Sequence, residues 1–435
     1  MRGTMMRNLF IWIEIQGKQH FVGNITGNNP EDAVFTYSQE YLDLPEAAPV
    51  SLNLPLQAHP FSPAQTRIFF EGLLPEGFTR KSVAQWMHAD ENDYLTILEG
   101  LGRECLGAIQ VTESESLSAP VDSSYRKMSL SDIQRLAAEG ATESAQLVTE
   151  AHISLTGASG KVGLYYDPAD HEWFLPIGSA PSTHIVKQSH IRLDSIVLNE
   201  RLSLLTASKL GIDVPESFII DSGSGREQDV LFATRRYDRD LMNSRMISGK
   251  PCPFRRHQED MGQALGIPSK NKYEKNNDGY LKRCADLIRF ASADPIRDLM
   301  KLWDITVFNW LIGNADNHVK NLSVLYSTDL RSLRLAPAYD LVSTAVYQKN
   351  PPEMSMSIGG IYKLNEIGLA AWEKEAKNIG INPKTALSRL HIMADSLEPC
   401  LRAAANDLQT AGIAGADEMA ERILQHGGIA VYGIK

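Results

Sequence analysis

The segment "IGNADNHVKN", residues 312–321, crowds polar side chains into a few positions just after an apolar run. From Asp316 to Asn321 the spacing is D-x-x-x-x-N, and Asp340 follows in "AYDLVS". These residue types in this order suit phosphoryl transfer. The first Asp would orient an attacking hydroxyl and take its proton, while Asn321 and Asp340 would hold Mg²⁺ against nucleotide phosphates. Mg²⁺ favours hard oxygen ligands at ~2.1 Å, and a base must lie within hydrogen-bond reach of its proton. Lys320 would neutralise charge at the γ-phosphate. The plainer reading is that Asn314, Asp316 and Asn317 only cap and turn the chain after a helix.

Three further groups could belong to the same chemistry. Lys187 stands in the apolar run "THIVKQS". It reads either as an edge-strand lysine in water or, given a following helix and two strands, as the phosphate-pairing lysine of a kinase small lobe. Glu200 on that helix would be its ion-pair partner. The stretch "TGASGK" comprises Thr156, Gly157, Ala158, Ser159, Gly160 and Lys161. It lacks the spacing of a Walker A loop and a strand follows it, so it reads as a hairpin turn or as a loop offering N–H groups to phosphates. In "ATRRYDR" Tyr237 would pack on a base or anchor a junction, and Arg235, Arg236 and Arg239 would form no more than a solvated basic face.

The elements that must position these residues are legible from pattern. "LFIWIEIQGKQHFVGNI" alternates like two strands about a Gly turn, "SLNLPLQ" ends extended, and "SPAQTRIFFEGLLPEGFTRKSVAQWM" is mostly helical with a break at Pro75. "LGRECLGAIQV" returns to strand, and the polar "TESESLSAPVDSSYRKMS" reads as a linker into the helix "LSDIQRLAAEG". Strands follow from about 150, and after Arg239 the chain is expected to be mainly helical. "DPIRDLMKLWDITVFNWLIG" has a 3.6-residue apolar stripe, Asp294 and Pro295 as start signals and Gly313 as its stop. The expected divisions are 8–115, a linker and helix over 116–149, a catalytic core over 150–380 and a helical tail over 381–435.

The chain has 435 residues and a net charge of −10, so it is not built to coat nucleic acid by itself. Cys105, Cys252, Cys284 and Cys400 are too scattered for a zinc site and read as reduced thiols of a cytoplasmic protein. No apolar run approaches the ~18 residues of a membrane span, and "NLFIWIEI" does not read as a signal peptide.

Taken together, "FFEGLLPE", "ISLTGASGK", "THIVK", "NER", "RRYDR", "KYE", "WLIGNADNHVKNLSV" and "PAYDLVST" resemble, in order and spacing, the HipA family of toxin serine/threonine kinases. The resemblance implies an α+β fold of two-lobed kinase type, with an N-terminal α/β subdomain and a mostly helical C-terminal half. It implies ATP and Mg²⁺ as cofactors and Asp316 as catalytic base. Asn321 and Asp340 would be the metal ligands, Lys187 and Thr156 to Lys161 the phosphate contacts, and Arg235, Arg236 and Tyr237 the adenine border. His318, Val319, Lys320 and Tyr339 would line the nucleotide site. Ser154 matches the family's autophosphorylated serine, although Ser159 is an alternative. A phosphate there would disturb the loop by charge alone. The implied partners are a helix-turn-helix antitoxin of HipB type, DNA only through that antitoxin, and a protein substrate, plausibly an aminoacyl-tRNA synthetase. The chain departs from the family's best-known members, which carry "AGAQEK" where it has "TGASGK" and Glu where it has Arg235. A non-catalytic co-repressor with a kinase fold, or a small-molecule kinase, are the alternatives.

Overall fold

The computed structural model describes residues 6–115, 123–139, 146–148, 155, 160–188, 193–221 and 230–432. Ser154 and Thr156 to Ser159 lie outside them. The chain divides into two compact units. The first comprises Met1–Gln188, Ile220–Ser269 and Leu325–Ser332, and the second Ser189–Ile219, Lys270–Val324 and Leu333–Lys435.

In the first unit β1 (Arg7–Ile15) and β2 (Lys18–Gly27) form the expected hairpin about Gly17, whose φ of +78° suits glycine. With β3 (Val34–Tyr37) and β4 (Ile109–Thr112) they make a sheet in the order β3-β2-β1-β4. Helices Pro63–Gly72 and Gly77–Trp86 flank Pro75 as the sequence indicates. "SLNLPLQ" begins as a tight turn closed by Leu54 N–H on the Ser51 carbonyl at 3.0 Å, and Pro55 has no N–H for a ladder. The region around "LGRECLGAIQV" becomes strand only from Ile109.

A second sheet in this unit orders β5 (Ser124–Lys127), β7 (Glu172–Ile177), β6 (Lys161–Asp167), β8 (His184–Gln188) and the strand Val230–Arg235 side by side. β5 occupies part of the stretch expected to be linker. Beyond Arg239 the chain is not yet helical. Arg239–Ile247 and Lys250–Arg255 form a hairpin, turned by Ser248 (φ +50°) and Gly249 (φ +77°). Two successive left-handed residues with Gly second are a two-residue hairpin turn, and "SG" was the overlooked signal.

Beneath that hairpin lies a buried ion cluster. Glu104 accepts from Arg236 Nη1 at 3.1 Å, Arg239 Nη2 at 2.7 Å and Arg255 Nη2 at 2.7 Å. Asp238 accepts from Arg236 at 2.7 Å, and Glu14 takes the Arg255 main-chain N–H at 2.9 Å. Three carboxylates thus face three guanidinium groups with essentially no exposed side-chain surface. Arg236 and Arg239 are therefore not a solvated face. Burial alone would push the Glu104 carboxyl up, but Arg239, Arg255 and Arg236 beside it hold it down to about 2.

The second unit is mostly helical, with helices Ile196–Lys209, Tyr280–Ala291, Pro295–Ile312, Leu369–Asn378, Pro383–Thr410 and Ala416–His426. Its core holds Trp303, Trp310 and Trp372, paired edge to face at 5.2 and 5.5 Å. Trp303 donates to the Ala386 carbonyl and Trp310 to that of Leu364, both at 3.1 Å. Among the described residues no helix is long and apolar enough to cross a membrane.

Removing one partner from a buried charge cluster leaves its opposites uncompensated. Glu104→Gln should therefore cost about 3–5 kcal/mol in urea unfolding; a loss below about 1 kcal/mol would contradict the cluster's role. Because the folded carboxyl lies below its ordinary value of 4.5, the wild-type contribution is complete above that pH and is lost as pH falls toward about 2. The variant should show a correspondingly shallower acid limb.

Candidate active site

The helix Pro295–Ile312 delivers the central loop. Asp294 caps its start by accepting the Arg297 N–H at 3.2 Å, and Pro295 occupies the first turn. Gly313 ends it with φ +74°, where an added Cβ would meet Ala345 Cβ at 2.7 Å and Gly427 Cα at 3.0 Å. The helix end is thus closed by main chain, which leaves the side chains beyond it available for other contacts.

Those side chains knit three segments together. Asn314, 1% exposed, donates from Nδ2 to Asn309 Oδ1 at 2.6 Å and to the Asp340 carbonyl at 3.0 Å. Tyr339 donates to the Lys320 carbonyl at 2.8 Å and shares a 2.6 Å hydrogen bond with Ser323 Oγ. Both flanks of the Tyr339–Asp340 pair are therefore tied to the loop that carries Asp316 and Asn321. Thr344, from the same "YDLVST" stretch, accepts the Ala315 N–H at 2.9 Å, and Ala345 N–H reaches the Gly313 carbonyl at 3.0 Å. Asp340 sits at φ +54°, a left-handed conformation that non-glycine residues adopt at a cost.

Within the loop, His318 N–H and Asn321 Nδ2 both donate to the Asp316 carbonyl, at 2.8 and 2.9 Å. The latter bond turns the Asn321 amide oxygen to the opposite side of its group. His318 caps the 3₁₀ turn Val319–Asn321 and is buried with Val319 and Lys320, Asn321 and Asp340 are half-buried, and Asp316 is exposed. Asp316 Oδ1 accepts the Tyr273 hydroxyl at 2.8 Å. Asn314 and Asp316 thus do more than turn the chain. No group of three or more His, Cys, Asp or Glu among the described residues could cage a metal.

Also in the second unit, Asn199 is fully buried on helix Ile196–Lys209. It donates to the Ser343 carbonyl at 2.9 Å and accepts the Ser343 N–H at 2.9 Å, fixing the segment just after Asp340. Glu200, next to it, is buried. Sequence reading gave no role to Asn199, Tyr273 or Thr344. The first two stand in the quoted "NER" and "KYE", but only their three-dimensional neighbours reveal what they do.

In the first unit, Lys187 is half-buried in β8, between Lys161 of β6 and Phe232, whose ring lies 5.7 Å from its ammonium. It is not on an edge strand, so the solvated-edge reading fails. Gly160 precedes β6 and Lys161 opens it; Thr156 to Ser159 and Ser154 fall outside the described residues. Arg235 is exposed and Tyr237 is half-buried with its hydroxyl on Gln258 Oε1 at 2.5 Å. Arg236 departs from expectation: its guanidinium is spent on Glu104, Asp238 and the Cys105 carbonyl, so only its main chain can border a ligand.

Comparison with known proteins identifies the family. The HipA-like C-terminal domain matches residues 153–401 and the HipA N-terminal domain matches residues 13–112. The Y4mE protein of Sinorhizobium fredii is 34% identical over 380 residues, 86% of this chain and 87% of its own. The serine/threonine-protein kinase toxin HipA of Shewanella oneidensis is 26% identical over 332 residues, 73% of this chain and 72% of that one. A solved structure of Shewanella oneidensis HipA with HipB and operator DNA superposes with a TM-score of 0.76 at 21% identity, covering 97% of this chain and 99% of that one. The chain belongs to the HipA family and has its α+β, kinase-like fold.

Asn314→Ala removes the donor to the Asp340 carbonyl and leaves buried groups unpaired. It should cost about 1–3 kcal/mol of stability by thermal or urea unfolding; an unchanged midpoint would show that the tie holds nothing.

Proposed function

We propose that this chain is an ATP- and Mg²⁺-dependent serine/threonine-protein kinase, the toxin of a HipBA-like toxin–antitoxin pair. The observation that carries the reading is the double tie of the Tyr339–Asp340 pair to the loop bearing Asp316 and Asn321. A kinase needs a proton acceptor and two metal-holding oxygens in one fixed frame, and little covalent chemistry besides. The name of the Shewanella oneidensis relative supports the same reading.

In this reading the Asp316 carboxylate accepts the proton of a serine or threonine hydroxyl. That oxygen bonds to the γ-phosphorus as the bond from phosphorus to the β,γ-bridging oxygen breaks, and ADP leaves with the bridging oxygen. Asn321 and Asp340 are the residues that would hold the metal. A nucleotide-borne Mg²⁺ needs only one or two protein carboxylates, the rest of its shell being phosphate and water, so this pair needs no three-acid cage, and there is none among the described residues. When bound, Mg²⁺ supplies neutralisation of phosphate charge. Lys320 and His318 line the nucleotide with Val319 and Tyr339, Lys187 and the 156–161 loop take the phosphates, and Arg235 and Tyr237 border the adenine. These last assignments rest on the family resemblance.

Ser154 is the proposed self-phosphorylation site, and its modification the off-switch. The solved assembly of Shewanella oneidensis HipA with HipB and operator DNA supports a HipB-like partner; that this partner is a helix-turn-helix antitoxin through which the chain reaches DNA is proposed from the resemblance. The protein substrate is proposed, from the resemblance alone, to be an aminoacyl-tRNA synthetase. Four free cysteines suit action in a reducing cytoplasm.

Asp316→Asn should lower ATP turnover about 10²–10⁴-fold, the range a positioned base contributes. Mass spectrometry of the wild-type protein after ATP treatment should show one added phosphate on the 151–161 peptide, absent from the variant. Turnover and phosphate addition unchanged in Asp316→Asn would reject the base, and ATP binding with no transfer to any protein would favour a co-repressor instead.

A further inference from the structure

We propose that Tyr273 is a positioning residue for the Asp316 carboxylate: its hydroxyl, bonded to Oδ1, sets the direction in which that carboxylate meets an acceptor hydroxyl. The inference rests on the kinase reading above and deepens it.

The χ2 torsion of an aspartate is broad and nearly two-fold, so an exposed carboxylate has little orientation of its own. Asp316 is exposed, while its neighbours on both sides are buried. Its carboxylate needs an external reference, and Tyr273 provides one at 2.8 Å. Tyr273 is itself fixed by its surroundings. On one side, the Lys272 carbonyl accepts the Val319 N–H at 3.4 Å. On the other, Glu274 N–H donates to the Ser355 carbonyl at 2.9 Å, and Ser355 in turn gives its N–H and hydroxyl to the Ala315 carbonyl at 3.0 and 2.5 Å. The Glu274 side chain is buried and accepts the N–H groups of Ser357 and Gly279, both at 2.7 Å. The Tyr273 ring stands edge-on to His318, 5.3 Å between centroids at 80°.

The segment before helix Tyr280–Ala291 is thus built onto the same loop that carries the base, at residues 315 and 319, and presents one hydroxyl to the carboxylate between them. Tyr273 remains 43% exposed. A bond between an exposed tyrosine and an exposed carboxylate adds little to folding, because water competes for both groups. Its consequence is geometric, and misdirecting a catalytic group by a fraction of an ångström is felt in rate rather than in stability.

Tyr273→Phe keeps the ring against His318 and deletes only the hydroxyl. With the full-length protein, Mg²⁺ and radiolabelled ATP, we expect its turnover number to fall about tenfold while KM for ATP changes less than about twofold. The melting temperature should stay at the wild-type value. In an Asp316→Asn background the same substitution should have no further effect, since it acts only through that carboxylate. Wild-type turnover in Tyr273→Phe, or an equal loss with and without Asp316, would overturn the inference while leaving the kinase reading intact. Turnover that does not depend on Asp316 at all would remove both.

Discussion

The amide of Asn314 reaching the carbonyl of Asp340 at 3.0 Å is the contact on which the proposed site depends. Asp340 follows a strand and sits in a left-handed conformation that an aspartate keeps only when its surroundings over-determine it. Asn314 grips it from the helix end, Tyr339 grips the loop from the other side, and Asn199 holds Ser343 beyond it. Each of these groups is a side chain bonded to main chain. The frame therefore does not depend on the titration of the residues it presents, and Asp316 is left exposed on a rigid support.

The first unit solves a different problem. Its "RRYDR" segment is pinned by charge rather than by amide groups, with Glu14, Glu104 and Asp238 set against Arg236, Arg239 and Arg255. Buried charges of opposite sign that face one another offset their loss of hydration, and removing one of them leaves the others uncompensated. Because Glu14 and Glu104 come from the N-terminal part of the unit and the arginines from 236–255, the cluster joins β1 and the turn before β4 to the hairpin after Arg235. The exposed Arg235 and half-buried Tyr237 are carried on this pinned segment.

Much of this was legible in the sequence because the signals are local. Asp294, Pro295 and Gly313 mark the ends of the central helix by chemistry that acts within one turn, and the helix runs between them. Strand β8 and its lysine followed from a short apolar run. The hairpin after Arg239 was missed because Arg239–Ile247 is mostly exposed and shows no strong alternation, and Lys250–Arg255 carries two prolines, leaving only the Ser248–Gly249 turn to announce them. Arg236 and Arg239 looked solvated because their partner Glu104 lies more than 130 residues away. Tyr273 and Asp316 are 43 residues apart, and nothing in either neighbourhood announces the other. Reading by motif found the residues of the proposed chemistry and passed over those that aim them.

The most direct measurement is a crystal structure of the protein with Mg²⁺ and a non-hydrolysable ATP analogue. The account predicts the metal between the Asn321 amide oxygen and the Asp340 carboxylate, at the ~2.1 Å typical of Mg²⁺–oxygen bonds, with the γ-phosphate facing Asp316. A nucleotide bound elsewhere, or a metal that touches neither side chain, would contradict it.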